Sequence, residues 1–160
     1  MITVGLADDH TVVRQGLRLL LETDPEFAVV GEAANGTEAL ALAKRLKPDV
    51  LILDLMMPSP DGLEVTRRLS QLKLRTRVIV LTMYGDDAFV VDALKGGAAG
   101  FLVKESCGTE LFDAIRAAAA GRRYLSPGIA ETVEKWEAVH PARARVRKAV
   151  RSRHRSLPAV

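Results

Sequence analysis

Carboxylates, a hydroxyl and an ammonium group stand at the ends of short apolar segments that lie far apart in the chain. The residues are Asp8, Asp9, Asp54, Thr82 and Lys104. Carboxylates that are brought close together repel one another unless a cation lies among them. A hard divalent ion such as Mg²⁺ suits one or two carboxylates, a backbone carbonyl and several waters. If these side chains converge, they form an Mg²⁺ site in which an aspartate can act as a nucleophile.

The chemistry that fits such a set is the transfer of a phosphoryl group to an aspartate. With Mg²⁺ and Lys104 neutralising charge, a phosphoryl group can approach a carboxylate that would otherwise repel it, and an acyl phosphate forms. The metal, the Lys104 ammonium and the Thr82 hydroxyl would each hold one phosphoryl oxygen. Each residue alone also fits a helix cap, a turn position or a solvated charge. Their joint placement at the ends of different strands favours a shared site.

Convergence of these residues depends on the order of the secondary-structure elements. Short β-branched and apolar runs predict five strands, at Ile2–Ala7, Phe27–Ala33, Val50–Leu53, Arg77–Leu81 and Gly100–Val103. Stretches with helical spacing alternate with these runs. The alternation predicts a doubly wound α/β fold, a five-stranded parallel sheet with helices on both faces. In such a sheet ligands bind outside the carboxyl ends of the strands, which is where the polar residues stand.

Helix-end signals add detail to this pattern. Asn35–Glu38 has the capping-box pattern at the start of the second helix, and Asp61 fits the cap of the third. Ser126 and Pro127 resemble an N-cap followed by proline at the first helical position. They predict a sixth, C-terminal helix that ends near Val139.

Charge is distributed unevenly along the chain, although the net charge is only +3. From Ala138 onward there are seven Lys and Arg and no Asp or Glu, which leaves 16 basic against 20 acidic residues in 1–137. An acidic body with a basic end indicates parts with different roles. We expect a phosphoacceptor domain over residues 1–122, a linker helix over 123–139 and a basic, disordered tail over 140–160.

The composition also bears on location and on other kinds of site. No apolar run reaches the ~20 residues of a membrane helix, and the N-terminus lacks the features of a signal peptide. The single cysteine, Cys107, excludes an internal disulfide and fits a reducing cytoplasm, where we expect the chain to act. His10, His140 and His154 are scattered and form no zinc-type cluster. We expect these histidines to be solvated or capping residues.

The sequence resembles the receiver domains of bacterial two-component response regulators, and within them the NarL/FixJ-type subfamily. The matching segments are Leu6–Leu17, Gly31–Gly36, Asp49–Pro58, Asp61–Val65, Val78–Met83 and Gly97–Lys104. They cover roughly residues 1–125 without a gap in any motif. The resemblance implies the flavodoxin-like receiver fold.

The resemblance also assigns roles to the carboxylates. It implies that Asp54 is the phosphoacceptor. Asp9 and Asp54 would bind Mg²⁺ through their side chains, with the Met56 backbone carbonyl as a third protein ligand. Asp8 would act mainly through a metal-bound water.

Three further residues would bind the phosphoryl group or respond to it. The resemblance implies that Thr82 and Lys104 hold the phosphoryl oxygens and carry the signal outward. Phe101, three residues before the lysine, falls at the position of the family's switch aromatic, which turns inward when Thr82 shifts. A half-buried strand residue is the simpler interpretation of Phe101. The chain would promote its own phosphorylation and dephosphorylation, but without a turnover substrate it would not be an enzyme.

Partners follow from this implied mechanism. A sensor histidine kinase would dock near the site, against the first helix (Val12–Thr23), and phosphorylation would favour a homodimer. The family's output is control of transcription through a helix-turn-helix domain. Only 35 residues follow Leu125, without a trihelical pattern. The alternative is a stand-alone or truncated receiver that acts through protein partners without binding DNA, and the basic tail leaves non-specific phosphate binding open.

Two other classes with this topology fit the residues poorly. A phosphohydrolase with an aspartate nucleophile needs a second aspartate two residues after the first, whereas Asp8 and Asp9 are adjacent. A flavin-binding protein needs a phosphate loop rich in Ser, Thr and Gly after the first strand, and Asp8, Asp9 and His10 cannot provide one.

Overall fold

The computed structural model of the chain describes residues 1–83 and 87–139. The strands are β1 (Ile2–Ala7), β2 (Phe27–Ala33), β3 (Val50–Asp54), β4 (Arg77–Thr82), β5 (Gly100–Val103) and β6 (Tyr124–Leu125). The helices are α1 (Thr11–Glu22), α2 (Gly36–Leu46), α3 (Gly62–Gln71), α4 (Asp87–Lys95), α5 (Cys107–Ala119) and α6 (Pro127–Val139). The predicted basic tail, residues 140–160, lies outside the described residues.

The described strands form a single parallel sheet in the order β2-β1-β3-β4-β5-β6. The predicted doubly wound α/β fold is confirmed, and β3 and β4 each extend one residue further than predicted. The sheet has six strands, not the five predicted. Tyr124 N–H donates to the Ala99 carbonyl at 3.1 Å, and Ser126 N–H donates to the Phe101 carbonyl at 3.1 Å. A strand of two residues is too short to show a periodic pattern, so only its pairing with β5 reveals it.

The side chains of the central strands alternate between two buried layers. Leu51 and Leu53 of β3 pack in the cluster that α2, α3, α4 and α6 cover. Val50 and Ile52 of the same strand pack in the cluster that α1 and α5 cover. Every residue of β3 is buried, which is typical of a central parallel strand with helices on both faces.

The predicted side-chain caps of α2 and α3 form, whereas the Ser126 hydroxyl accepts a hydrogen bond from Val103 N–H at 3.3 Å. The Asn35 side chain accepts a hydrogen bond from Glu38 N–H at 2.9 Å, and the Glu38 carboxylate accepts one from Ala34 N–H at 2.7 Å. Asp61 Oδ1 accepts a hydrogen bond from Glu64 N–H at 2.9 Å at the start of α3. These caps fix where α2 and α3 begin, and residues 55–61 join the end of β3 to α3.

The predicted C-terminal helix packs against the rest of the fold. Ile129 and Val133 of α6 are buried in the same core cluster as Phe101 of β5 and Val90 of α4. The α6 helix therefore closes the apolar layer over the strand that leads to Lys104.

This packing predicts a large contribution of α6 to stability. We expect Ile129→Ala to lower the free energy of unfolding by about 2–5 kcal/mol, because the lost side chain leaves a cavity in the core. The control is Glu134→Ala at an exposed position of the same helix, for which a change within about 0.5 kcal/mol is expected. Urea denaturation of both variants measures the difference. Equal stability of the two would show that α6 does not belong to the core.

Candidate functional site

Two aspartates meet at the carboxyl end of the sheet because the strands that carry them are neighbours. Ala7 of β1 pairs with Leu53 of β3, so Asp8 and Asp54 follow side by side. Both side chains are buried, with 1% and 2% of the residue surface exposed. Burying a carboxylate costs free energy unless it is paired or binds a cation. This edge of the sheet therefore favours a bound positive charge.

Lys104 reaches this pair of carboxylates from the end of β5. Its Nζ lies 3.2 Å from Asp8 Oδ2 and 3.4 Å from Asp54 Oδ2. Thr82 is the last residue of β4 and pairs with Val103, the residue before the lysine. The structure thus brings Asp8, Asp54, Thr82 and Lys104 to one edge, as their positions after the strands predicted.

The remaining donors of the site come from the turn between β1 and α1. One oxygen or nitrogen atom from each of Asp8, Asp9, His10 and Asp54 lies within 4.8 Å of those of the other three. His10 Nδ1 is 3.2 Å from Asp8 Oδ1 and 3.1 Å from Asp9 Oδ1. His10 occupies the N-cap position of α1, but its side chain makes no capping hydrogen bond. The expectation that His10 is solvated fits its side-chain exposure of 63%, whereas its place beside both carboxylates follows from the structure.

The surroundings of Asp54 on balance disfavour its charged form. Burial raises the pKa of Asp54 above its usual 3.8, and the neighbouring Asp8 charge raises it further. The hydrogen bond from Met56 N–H and the Lys104 ammonium act in the opposite direction. Asp8 Oδ2 and Asp54 Oδ2 are buried, and among the described residues they accept no hydrogen bond; their contact is the ion pair with Lys104. A divalent cation fits these oxygens.

Met56 contributes its backbone to the site while its side chain points to solvent. The Met56 N–H donates to Asp54 Oδ1 at 3.2 Å, and the side chain is largely exposed. The predicted role of the Met56 carbonyl as a metal ligand stays a prediction.

Phe101 lies inside the protein and not at its surface. The residue has no exposed surface and belongs to the core cluster that α4 and α6 cover. The interpretation of Phe101 as a half-buried strand residue is therefore wrong in its degree of burial. Its role as a switch aromatic stays a prediction.

Glycine is required where α3 passes the loop that follows Asp54. A Cβ atom on Gly62 would lie 2.6 Å from the Asp54 carbonyl oxygen and 2.7 Å from Leu55 Cα. The Gly62 N–H also donates to the Leu55 carbonyl at 3.1 Å. The close approach of α3 thus holds the backbone of the proposed acceptor in place.

We therefore expect Gly62→Ala to destabilise the chain by about 1–3 kcal/mol, because the backbone must move to admit the methyl group. Gly16→Ala is the matched control, since Gly16 lies in α1 with nothing within 4 Å of the added Cβ. There, alanine should stabilise the helix by about 0.5–1 kcal/mol. Thermal unfolding of the two variants gives the comparison, and stabilisation of both would refute the close contact at Gly62.

Among residues 1–83 and 87–139, none of the helices has the length and apolar character needed to cross a membrane.

Comparison with known proteins relates the whole arrangement to one family. Residues 4–116 match the family model of the response regulator receiver domain. The transcriptional regulatory protein LiaR of Bacillus subtilis is 42% identical over 133 residues, which are 83% of this chain and 63% of LiaR. The DNA-binding transcriptional activator DevR/DosR of Mycobacterium tuberculosis is 43% identical over 125 residues, 78% of this chain and 58% of that protein. The chain thus spans about 60% of the length of these relatives.

A solved structure agrees with this relation. The crystal structure of a LuxR-family two-component response regulator from Aurantimonas sp. SI85-9A1 superposes with a TM-score of 0.81 at 40% identity. The match covers 86% of this chain and 99% of that one. The family match over residues 4–116 includes the strand ends that carry the polar residues described above.

Proposed function

The chain belongs to the family of response regulator receiver domains, and we propose that Asp54 is its phosphoacceptor. The observation that most supports this is the placement of Asp54: a buried carboxylate at the end of a central strand, with Lys104 Nζ 3.4 Å from its Oδ2. Asp8 is equally buried, and the likeness to the receiver family supports Asp54, not Asp8, as the acceptor.

The proposed reaction is attack of an Asp54 carboxylate oxygen on phosphorus. The new O–P bond forms while the bond from phosphorus to the donor breaks, and the leaving group keeps its electron pair. Lys104 and the Thr82 hydroxyl each hold one phosphoryl oxygen, which balances the charge that develops there. Asp9, Asp54 and the Met56 carbonyl would hold Mg²⁺, which would neutralise charge at the site. Asp8 would act on the ion mainly through water.

The phosphoryl donor in this proposal is a phosphohistidine of a sensor histidine kinase in the cytoplasm. Exposed apolar side chains surround the site edge: Val12 on α1 is 81% exposed, and Met56 and Met83 follow the ends of β3 and β4. Such residues fit a docking surface that includes α1, as the sequence predicted.

The switch is proposed to run from Thr82 through Phe101 to the C-terminal helix. Phe101 lies in the same buried cluster as Ile129 of α6, so movement of the ring on phosphorylation would disturb the packing of that helix. We propose a receiver over residues 1–122, a linker helix over 123–139 that passes the signal on, and a basic tail over 140–160. Homodimerisation and control of transcription are the proposed outputs, by likeness to relatives that are transcriptional regulators.

The test is phosphorylation of the intact chain by a small phosphodonor such as phosphoramidate. Intact-mass spectrometry is expected to show addition of one phosphoryl group in the presence of Mg²⁺ and almost none after addition of a chelator. A mass that does not change with Mg²⁺ present, or a phosphoryl uptake that the chelator leaves intact, would contradict the proposal.

A further inference from the structure

His10 is the member of the donor cluster that the proposed reaction does not use. Its side chain is 63% exposed, yet Nδ1 faces inward, between oxygens of Asp8 and Asp9. Its backbone N–H also donates to Asp8 Oδ1 at 2.8 Å. The imidazole ring is thus held with Nδ1 beside the two carboxylates, and the rest of the ring is exposed to water.

The separations between these atoms match those of ligands on a common metal ion. An octahedral ion with bonds of about 2.1 Å places neighbouring ligand atoms about 3.0 Å apart. His10 Nδ1 lies 3.2 Å from Asp8 Oδ1 and 3.1 Å from Asp9 Oδ1. The buried carboxylates of Asp8 and Asp54 lie beside this position, because one donor atom from each of Asp8, Asp9, His10 and Asp54 lies within 4.8 Å of the others. The Asp8 and Asp54 Oδ2 atoms accept no hydrogen bond among the described residues, and their contact is Lys104 Nζ.

We propose that His10 is a nitrogen ligand of the metal ion and that the site therefore favours a first-row transition metal over Mg²⁺. The proposal rests on the metal site of the proposed function and adds a ligand to it. Imidazole nitrogen suits Ni²⁺ and Zn²⁺, whereas Mg²⁺ prefers oxygen ligands. With Nδ1 as ligand, the ring proton resides on Nε2. The exposed side of the ring leaves that proton in contact with water.

A different arrangement gives the same distances and must be distinguished by experiment. A proton on Nδ1 could be donated to Asp8 and Asp9, and His10 would then only position the carboxylates. In that case the loss of the imidazole would lower the binding affinity for every cation to the same degree. If His10 coordinates the ion directly, loss of the imidazole lowers the affinity most for the cations that prefer nitrogen ligands.

The test uses the full chain with His140→Gln and His154→Gln, so that His10 is the only histidine left. Isothermal titration with Ni²⁺ and with Mg²⁺ is compared before and after His10→Gln. We expect Ni²⁺ affinity to fall on the order of tenfold or more and Mg²⁺ affinity to change less than about threefold. Asp9→Asn is the control variant, because it should weaken the binding of both ions.

A spectroscopic measurement reports the bond itself. Electron spin echo envelope modulation of bound Mn²⁺ detects a directly coordinated ¹⁴N nucleus, and we expect this signal before but not after His10→Gln. Absence of the ¹⁴N signal, or equal losses of Ni²⁺ and Mg²⁺ affinity, would overturn the role of His10 as a ligand and leave the proposed function intact. Binding of neither Ni²⁺ nor Mg²⁺ would overturn the metal site and with it the proposed reaction.

Discussion

Asp54→Asn is expected to abolish phosphoryl uptake completely while the chain stays folded. The amide lacks the nucleophilic oxygen, but it has nearly the same shape and can still accept the hydrogen bond from Met56 N–H. Intact-mass spectrometry with a small phosphodonor and Mg²⁺ measures the effect. Asp92→Asn, at an exposed position of α4, is the control and should take up one phosphoryl group like the unmodified chain. A phosphorylated Asp54→Asn variant would show that another residue is the acceptor.

The same substitution is expected to stabilise the fold when no metal is bound. The pKa of Asp54 is raised above 3.8 by burial and by Asp8, so the folded chain holds this proton more tightly than the unfolded chain does. The stabilisation from this proton is complete below pH 3.8 and is lost as the pH rises through the folded pKa. Asparagine has no charge, so the advantage of the variant should grow over that window and remain at neutral pH.

Urea denaturation in the presence of a chelator, at a series of pH values, measures this difference. Added Mg²⁺ should reverse the order of stability, because the ion binds the folded chain with Asp54 more tightly than the variant. If the unmodified chain were the more stable at neutral pH with the chelator present, the direction of the Asp54 pKa shift would be wrong.

Lys104→Ala is expected to lower the phosphorylation rate by about 10²–10³-fold, the usual effect of removing one group that stabilises transition-state charge. The substitution also leaves two buried carboxylates without the ion pairs that join them to Nζ at 3.2 and 3.4 Å. Removing one partner of a buried ion pair costs about 3–5 kcal/mol. We therefore expect a loss of stability of that order in the absence of metal.

A second substitution separates the two effects of Lys104. In the double variant Lys104→Ala with Asp54→Asn, only one buried carboxylate remains, and most of the lost stability should return. Lys135→Ala, an exposed lysine paired with Glu131 on α6, should change neither the rate nor the stability. A Lys104→Ala variant that is phosphorylated at the normal rate would remove the lysine from the proposed mechanism.

Much of the site was predictable from the sequence because strand ends are strongly marked. Runs of β-branched and apolar residues predicted β1, β2 and β5 to the residue. Parallel topology then placed Asp8, Asp54 and Lys104 at the same edge, since the carboxyl ends of parallel strands coincide. The local strand pattern was sufficient to predict the site because it shows where each strand ends, and the polar residues directly follow those ends.

The features that the sequence did not reveal depend on contacts between distant segments. The strand β6 has two residues and is defined by its pairing with β5. Two residues are too few to give a periodic pattern in the sequence. The need for glycine at position 62 arises from the Asp54 carbonyl, and the orientation of the His10 ring arises from the two carboxylates beside it. Such contacts require the tertiary structure.

The most direct test of Asp54 as the phosphoacceptor is to identify the phosphorylated residue chemically. Borohydride treatment of the phosphorylated chain reduces an aspartyl phosphate to homoserine and releases phosphate. Tandem mass spectrometry of the peptides then locates the homoserine. We expect homoserine at position 54 and unmodified aspartate at positions 8 and 9. Homoserine at position 8 or 9, or its absence from a chain shown to carry a phosphoryl group, would contradict the assignment of Asp54 as the acceptor.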